Sequence, residues 1–347
     1  MGSSSIDYLK EDLLNVAEYI NQNDFSDCSI LVTGATGLIG SLCIKALLVY
    51  KKKYSKNVSV YGLARNRQKV SEIFTEEEAK SIHLIFQDVT ATLPDSLKFD
   101  YIIHTANPTT SKYFLTNPVE VIDSIYLGTK NVLDNALKAG TKGVVYLSSM
   151  EVFGIVEEKE LRHAEKDLGY IDLQNTRSCY SEGKRLAELL CKSYASEYSL
   201  PVRIARLSQT FGAGVLKSEN RVFAQFLRSA IHGEDIVLHT KGQSFGNYCY
   251  TADVIRALIL LLKQGDNGDV FNIVNEDNSV TIAEMAQMVA SEFSNGKSKV
   301  VFDIPTGNVY GYAPDTKLKL SNEKISKLGW KPCVSLVEMY RRMLPYM

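Results

Sequence analysis

Residues 31–40 read LVTGATGLIG, an apolar run that passes through three glycines, Gly34, Gly37 and Gly40, into a second apolar segment. The flanks decide its reading. CSILVTG (28–34) has the β-branched, apolar character of a short buried strand. LIGSLCIKALLVYKKK (38–53) reads as a helix with its lysines in the last turn, where the helix dipole favours cations. Glycines between such a strand and helix suit a phosphate-binding turn. Gly34 permits the tight turn, Gly37 lets backbone approach a pyrophosphate, and Gly40 lets the helix pack closely, with the free N–H groups facing the anion. The spacing is GxxGxxG rather than GxGxxG.

The same alternation continues outward. NVSVYGLA (57–64), SIHLIFQDV (81–89), FDYIIHTA (99–106), KGVVYLSS (142–149) and PVRIARLS (201–208) read as strands. Helices are expected through EVIDSIYLGTKNVLDNALKAG (120–140), ended by Gly140, and around Tyr180. Strands apolar throughout, separated by helices, predict an α/β fold: a Rossmann-type doubly wound parallel sheet covered on both faces. Ahead of it, residues 7–22 carry Leu9, Leu13, Val16, Ala17 and Ile20 at helical spacing. After about residue 210 the alternation breaks up. Helices are expected in 220–234, 251–265, 280–293 and 321–330, with a short strand in 235–240. The expected organisation is a helical extension over 1–28, a dinucleotide-binding domain over 29–210, and a substrate lobe over 211–347 interleaved with it.

The 347 residues balance 39 Lys+Arg against 40 Asp+Glu, so no basic excess points to nucleic acid. No apolar run is long enough to span a bilayer, and MGSSSIDYLK carries no apolar signal core. Six cysteines without a CxxC pair suggest reduced thiols in a cytoplasmic enzyme. His83, His104, His163, His232 and His239 do not cluster at ligand spacing, so no metal site is expected. His104 opens the turn after the fourth strand, where it would shape the cofactor pocket.

The second strand runs into YGLARNRQK (61–69), which offers no acid to a ribose 2′-hydroxyl but offers Arg65 and Arg67. Arginine there suits the 2′-phosphate of NADP, so the cofactor is NAD or NADP, with Arg65 leaning to the latter. Arg67 is equally at home in a solvated basic loop. Asp88 has two readings, an acceptor for the adenine amine or a helix cap.

Residues after the fifth strand should face the nicotinamide, and LSSMEVFG (147–154) places Ser148, Ser149 and Glu151 there. CYSEGK (179–184) then sets Tyr180 and Lys184 one helical turn apart. A lysine held near the phenol lowers its pKa from the ordinary value of about 10. Tyr180 can then take a proton from a sugar hydroxyl while hydride leaves the carbon. Ser149 would hold the same oxygen, and Lys184 would also reach the ribose hydroxyls.

TGATGLIG, SS followed by VFG, YSEGK and LGWKP occur in order from Ser29 to about Leu344. In these motifs the chain resembles the extended short-chain dehydrogenase/reductases that modify nucleotide sugars. Within the family the chain looks most like UDP-glucuronate decarboxylases and nucleotide-sugar 4,6-dehydratases. PTTSKYFLTNP (108–118) and RSCYSEGKR (177–185) are similar to the decarboxylases, whereas simple 4-epimerases usually lack an acid at the place of Glu151. The resemblance implies Ser149, Tyr180, Lys184 and the carboxylate base Glu151 as catalytic residues. It implies dinucleotide contacts from Thr36, Leu38, Ile39, Val89, Thr105, Ala106 and Ser148, and substrate contacts from Pro108, Thr109 and Gln209. It further implies a homodimer through a four-helix bundle of the helices that follow strands four and five.

Several family positions differ. The dehydratase aspartate is Met150, the diphosphate-gripping arginine is Gly246, and the basic residue before PD is replaced by Tyr312 and Ala313. Two asparagines become Ile125 and Gln209. Lys217 and Arg221 are candidate replacement contacts for the diphosphate, with solvated surface charge as the other reading. Trp330 reads as a packing residue. The expected activity is NAD(P)-dependent modification of a nucleotide sugar through C4 oxidation, by decarboxylation, dehydration or epimerisation. A net NADPH-consuming reductase of a nucleotide-linked keto-sugar and a non-catalytic NADP-binding regulator are the alternatives.

Overall fold

The computed structural model describes residues 6–157, 161–306 and 316–347; the departures noted at Tyr312 and Ala313 lie outside these residues. Six strands follow the expected order: β1 (Cys28–Thr33), β2 (Val58–Ala64), β3 (His83–Phe86), β4 (Tyr101–His104), β5 (Gly143–Ser149) and β6 (Val202–Leu207). A seventh strand, Val270–Ile273, joins beyond β6. The sheet order is Val270–Ile273, β6, β5, β4, β1, β2, β3, and every pairing is parallel.

Alternate residues of β1 serve opposite faces, as a covered sheet requires. Ile30 and Val32 share one core cluster with Ile44 and Leu47 of the helix Leu38–Lys53, whereas Leu31 belongs to a second cluster with Ile125 and Ala187. Ile125 belongs to the helix Pro118–Ala139 and Ala187 to the helix Cys179–Tyr198. Each such fully buried aliphatic side chain contributes roughly 1.5–3 kcal/mol. Pro118 opens its helix at the first position, and Gly140 closes it at φ 68°, a left-handed turn that glycine enters without strain.

The first helix, Tyr8–Gln22, is capped by Asp7 and buries Val16, Ala17 and Ile20. The remaining chain builds a three-stranded sheet in which Phe245–Tyr250 lies between Gln209–Phe211 and Asn275–Thr281. Ile236–Leu238 and Val300–Phe302 form a separate parallel pair. Trp330 is buried, its indole N–H donating to the Asp253 carbonyl at 2.9 Å.

Besides these added strands, two stretches near the crevice differ from the sequence reading. The third strand stops at Phe86 because Asp88 turns the chain, accepting from the Thr90 amide at 2.9 Å and its hydroxyl at 2.8 Å. Within 108–118 a short helix, Ser111–Thr116, forms and buries Phe114.

Candidate active site

The chain reverses direction across the sheet between β1 and β4, so their carboxyl ends open a crevice. Gly34 sits there at φ 66°, and a Cβ on it would lie 2.7 Å from the Thr105 hydroxyl and 2.9 Å from Ala106 Cα. A Cβ on Gly40 would meet the Gly34 carbonyl oxygen at 2.3 Å. Gly40 therefore packs the helix against the turn itself rather than against the sheet. Gly37 caps the helix with no side-chain bond, and the first turn holds no acid. The N–H groups of Leu38 and Ile39 lie in that turn, where the helix dipole adds positive potential.

Thr33 fastens this turn to β4. Its hydroxyl accepts from the Thr105 and Ala106 amides, both at 3.1 Å, and lies 2.7 Å from His104 Nδ1. With both amides donating, the hydroxyl proton goes to Nδ1, so the imidazole proton sits on Nε2, 3.3 Å from Thr129 Oγ1. Burial and then the Lys184 charge push His104 down to about 3, which keeps it neutral. Thr33 is a site residue that sequence reasoning missed.

The crevice has a volume of about 450 Å³ and runs from Gly34, Thr36 and Gly37 past Arg65, Asn66 and Lys69. Val89, Thr105, Ala106, Asn107 and Pro108 complete its wall. Arg65 donates to Asp88 at 3.2 Å and is largely exposed. Asp88 is a turn former at Thr90 and caps no helix. Burial opposes its charge, but the Thr90 and Arg65 hydrogen bonds outweigh it and hold the carboxyl below the usual range. Arg67 lies over the Phe86 ring at 3.8 Å, so it is a stacked cation rather than a loose one. Lys69, unremarked in the sequence, adds a second cation to the Arg65 end of the crevice.

Ser149, Tyr180 and Lys184 converge at the end of β5. The Ser149 hydroxyl neighbours the Tyr180 phenol, whose ionisation it favours, and accepts from the Glu151 amide at 3.2 Å. Lys184 Nζ lies 5.8 Å from the Tyr180 ring centre and 4.7 Å from that of Tyr146, and donates to the Leu147 carbonyl at 2.5 Å. The expected electrostatic tuning does not appear in its simple form. Burial and the neighbouring Glu151 push the Tyr180 phenol up, against lowering by Ser149, Arg177 and Arg221. Burial likewise pushes Lys184 down to about 7, against the charge of Glu188. Lys184 is only 2% exposed, and the cost of desolvating its ammonium exceeds the help its neighbours give.

Glu151 is not a free base. Arg177 forks it, Nη1 to Oε2 at 2.9 Å and Nη2 to Oε1 at 3.3 Å. Arg177 also sits 5.5 Å from the Phe114 ring centre, and Phe114 lies flat against Tyr180. Neither partner was singled out from sequence; the signal for Arg177 was its place three residues before the tyrosine. Ser148 turns away from the crevice and donates to Glu188 at 2.5 Å.

The departures from the family pattern have physical causes. A Cβ on Gly246 would lie 2.3 Å from the Tyr248 hydroxyl, so a buried phenol fills the space an arginine side chain would enter. Ile125 packs on Gly183, where a Cβ would be 3.1 Å from its Cδ1, so that position joins two helices. Met150 packs beside Val152, Phe153 and Leu320. Gln209 opens the strand Gln209–Phe211 opposite Tyr248. Lys217 is exposed, as is Thr109. Arg221 pairs with Glu219 at 2.6 Å, yet its charge reaches Tyr180. Among the described residues, no cluster of three His, Cys, Asp or Glu could hold a metal ion.

A dinucleotide fits these residues. The turn from Gly34 to the start of the helix leaves no room for a Cβ at Gly34 or Gly40, so it keeps the close-packed, side-chain-free shape that a pyrophosphate-binding turn needs. On the same wall, both polar atoms of the Asn107 amide are buried without a hydrogen-bond partner, which costs about 1–3 kcal/mol per group until a partner arrives.

Comparison with known proteins agrees with this layout. UDP-glucuronic acid decarboxylase 1 of Danio rerio is 28% identical over 320 residues, spanning 91% of this chain and 72% of that protein. UDP-glucuronic acid decarboxylase 6 of Arabidopsis thaliana is 29% identical over 317 residues, 90% of this chain and 87% of that one. The fold is shared with UDP-glucose 4-epimerase from Thermotoga maritima, at TM-score 0.76 and 22% identity over 92% of this chain and 98% of that one. It is shared too with the NAD-bound dTDP-glucose 4,6-dehydratase DesIV from Streptomyces venezuelae, at TM-score 0.72 and 21% identity over 92% and 96%. Residues 30–274 match the sequence profile of one family across most of the sheet and its crevice. The chain belongs to the NAD dependent epimerase/dehydratase family.

Proposed function

We propose that this enzyme oxidises a nucleotide-activated sugar at C4, transforms the resulting ketone, and returns the hydride. The carrying observation is the meeting of Ser149, Tyr180 and Lys184 at the end of β5, the strand paired with β4, after which Thr105 and Ala106 line the glycine crevice. NAD or NADP, when bound, supplies the hydride acceptor. Gly34, Thr36, Gly37, Leu38, Ile39, Val89, Thr105 and Ala106 would hold it. Tyr180 takes the proton from the C4 hydroxyl, Ser149 holds that oxygen, and Lys184 as a cation stabilises the phenolate.

Decarboxylation suits the site best among the three outcomes. When a β-keto acid loses CO₂, the electrons of the broken C–C bond pass into the ketone as an enolate, which then takes a proton from water at the same carbon. No base is needed to remove a carbon-bound proton, and the Glu151–Arg177 pair need not open. Dehydration requires an acid for the leaving hydroxyl, and Met150 supplies none. The decarboxylase relatives favour the same choice, with UDP-glucuronic acid as the substrate to try first. Incubation of the protein and NAD with UDP-glucuronic acid, UDP-glucose and dTDP-glucose, followed by mass spectrometry and NMR, tests it. Loss of CO₂ supports decarboxylation; loss of water or epimerisation at unchanged mass replaces it; no product from any sugar rejects the activity.

Arg65 and Lys69 at one end of the crevice favour a second reading, a reductase that consumes NADPH. Its mark is stoichiometric loss of NADPH absorbance with a keto-sugar. A homodimer is supported by apolar side chains left exposed on two adjacent helices, Val119 and Ile122 on one and Leu186 and Leu189 on the other. Six unpaired cysteines, five of them buried, suit a reducing cytoplasm.

A further inference from the structure

Glu188 lies one helical turn beyond Lys184 and is 7% exposed. Two side chains hold its carboxylate through three hydrogen bonds. Ser148 donates to Oε1 at 2.5 Å, Arg206 Nε donates to the same oxygen at 2.9 Å, and Arg206 Nη2 donates to Oε2 at 2.6 Å. Arg206 is itself fixed, donating to the Glu165 carbonyl at 2.6 Å and lying 5.1 Å from the Phe153 ring centre. Such buried ion pairs are weak stabilisers, since apolar side chains of similar volume often do as well. This one joins the two segments that carry the reaction centre: Ser148 precedes Ser149, and Glu188 follows Lys184.

Lys184 needs a counter-charge. Its hydrogen bond goes to the Leu147 carbonyl and not to a carboxylate. The titratable groups facing it from β4 and β5 are His104 and Tyr146, and burial keeps both neutral. On its own helix, burial also keeps Tyr180 and Cys191 neutral, which leaves Glu188. Arg206, on β6, faces Glu188 rather than Lys184.

We propose that Glu188 is a positioning residue that keeps Lys184 cationic beside Tyr180, with Ser148 and Arg206 fixing the carboxylate in place. The inference deepens the role given to Lys184 in the proposed function.

The test is Glu188→Gln, with Glu188→Asp as the charge-conserving rescue. If turnover needs charged Lys184, the rate has a high-pH limb where that charge is lost. Glu188→Gln moves the limb to lower pH by about one unit, and Glu188→Asp restores it. The same shift is read without substrate or cofactor, by NMR titration of ¹³C-labelled lysine in the free protein, with Lys184→Ala assigning the signal. Should Glu188→Gln leave Arg206 uncompensated and fail to fold, the neutral double variant Glu188→Gln/Arg206→Gln takes its place. A folded variant whose Lys184 signal does not move overturns the inference, whatever the wild type does with sugars. A moved signal in a protein that turns over no nucleotide sugar sinks the proposed function and spares the inference.

Discussion

The Phe114 ring lies against the Tyr180 ring, centroids 4.4 Å apart and planes 13° from parallel. Phe114 is 1% exposed and sits on a helix of six residues, Ser111–Thr116. It therefore shields the phenol from water, and burial is the largest cause of the raised Tyr180 pKa. Phe114→Ala should admit water and bring the Tyr180 ionisation down towards that of an ordinary phenol. Tyrosinate absorbance against pH, compared with Phe114→Ala/Tyr180→Phe, measures it. An unmoved titration would mean that the stack does not control the phenol.

Arg65 faces Asp88 in the crevice that holds Lys69. If this end receives a 2′-phosphate, Arg65→Ala should weaken NADP binding roughly tenfold or more, the scale of one charge-assisted contact, and leave NAD nearly unchanged. Calorimetric titration with both nucleotides decides it. Equal losses would show that Arg65 does not touch the 2′-phosphate.

Asp12, on the first helix, accepts from the Tyr250 phenol and from Arg342 at 2.8 Å. Burial dominates these contacts and raises its carboxyl to about 6. Below about pH 4 folded and unfolded chains both hold this proton; between there and about 6 only the folded chain keeps it. Its contribution is therefore lost as pH rises through about 6, by roughly 2–3 kcal/mol. Carboxyls held low, such as Asp134, act in the opposite sense. The difference between wild type and Asp12→Asn in urea melts from pH 4 to pH 7 isolates Asp12. The wild type should lose ground relative to the variant as pH rises, and a constant difference would contradict the raised value.

Leu189 is 63% exposed on the helix that carries Tyr180. In a monomer, Leu189→Asp should change stability by no more than about 0.5 kcal/mol. If two copies pack these helices together, the same change should halve the mass seen by light scattering at micromolar concentration. A wild type that already scatters as a monomer rules out the bundle.

Much of the sheet was legible because β1, β2, β4, β5 and β6 are apolar runs bounded by clear helices, and the glycine turn fixed their direction. The strand Val270–Ile273 was not. Four residues are too few to show a period, and its place beside β6 is set by packing rather than by local preference. Ser111–Thr116 escaped notice for a similar reason: it has no side-chain N-cap, and the Phe114 stack is what holds it. Within the site, residue types and spacings pointed to Ser149, Tyr180 and Lys184. They did not reveal that Arg177 occupies Glu151, or that Thr33 binds His104 across 71 positions. Nor did spacing give the direction of the shifts at Tyr180 and Lys184, because burial outweighs the charges that i,i+4 geometry brings together.

Tyr180→Phe removes one oxygen from the reaction centre and leaves the crevice wall untouched. NAD affinity and turnover of UDP-glucuronic acid, measured on the same preparation, test the account most directly. Turnover should fall at least a thousandfold, the scale of a lost general acid/base, with NAD affinity within about twofold of wild type. A variant that binds NAD and turns over at close to the wild-type rate would contradict the assignment of Tyr180.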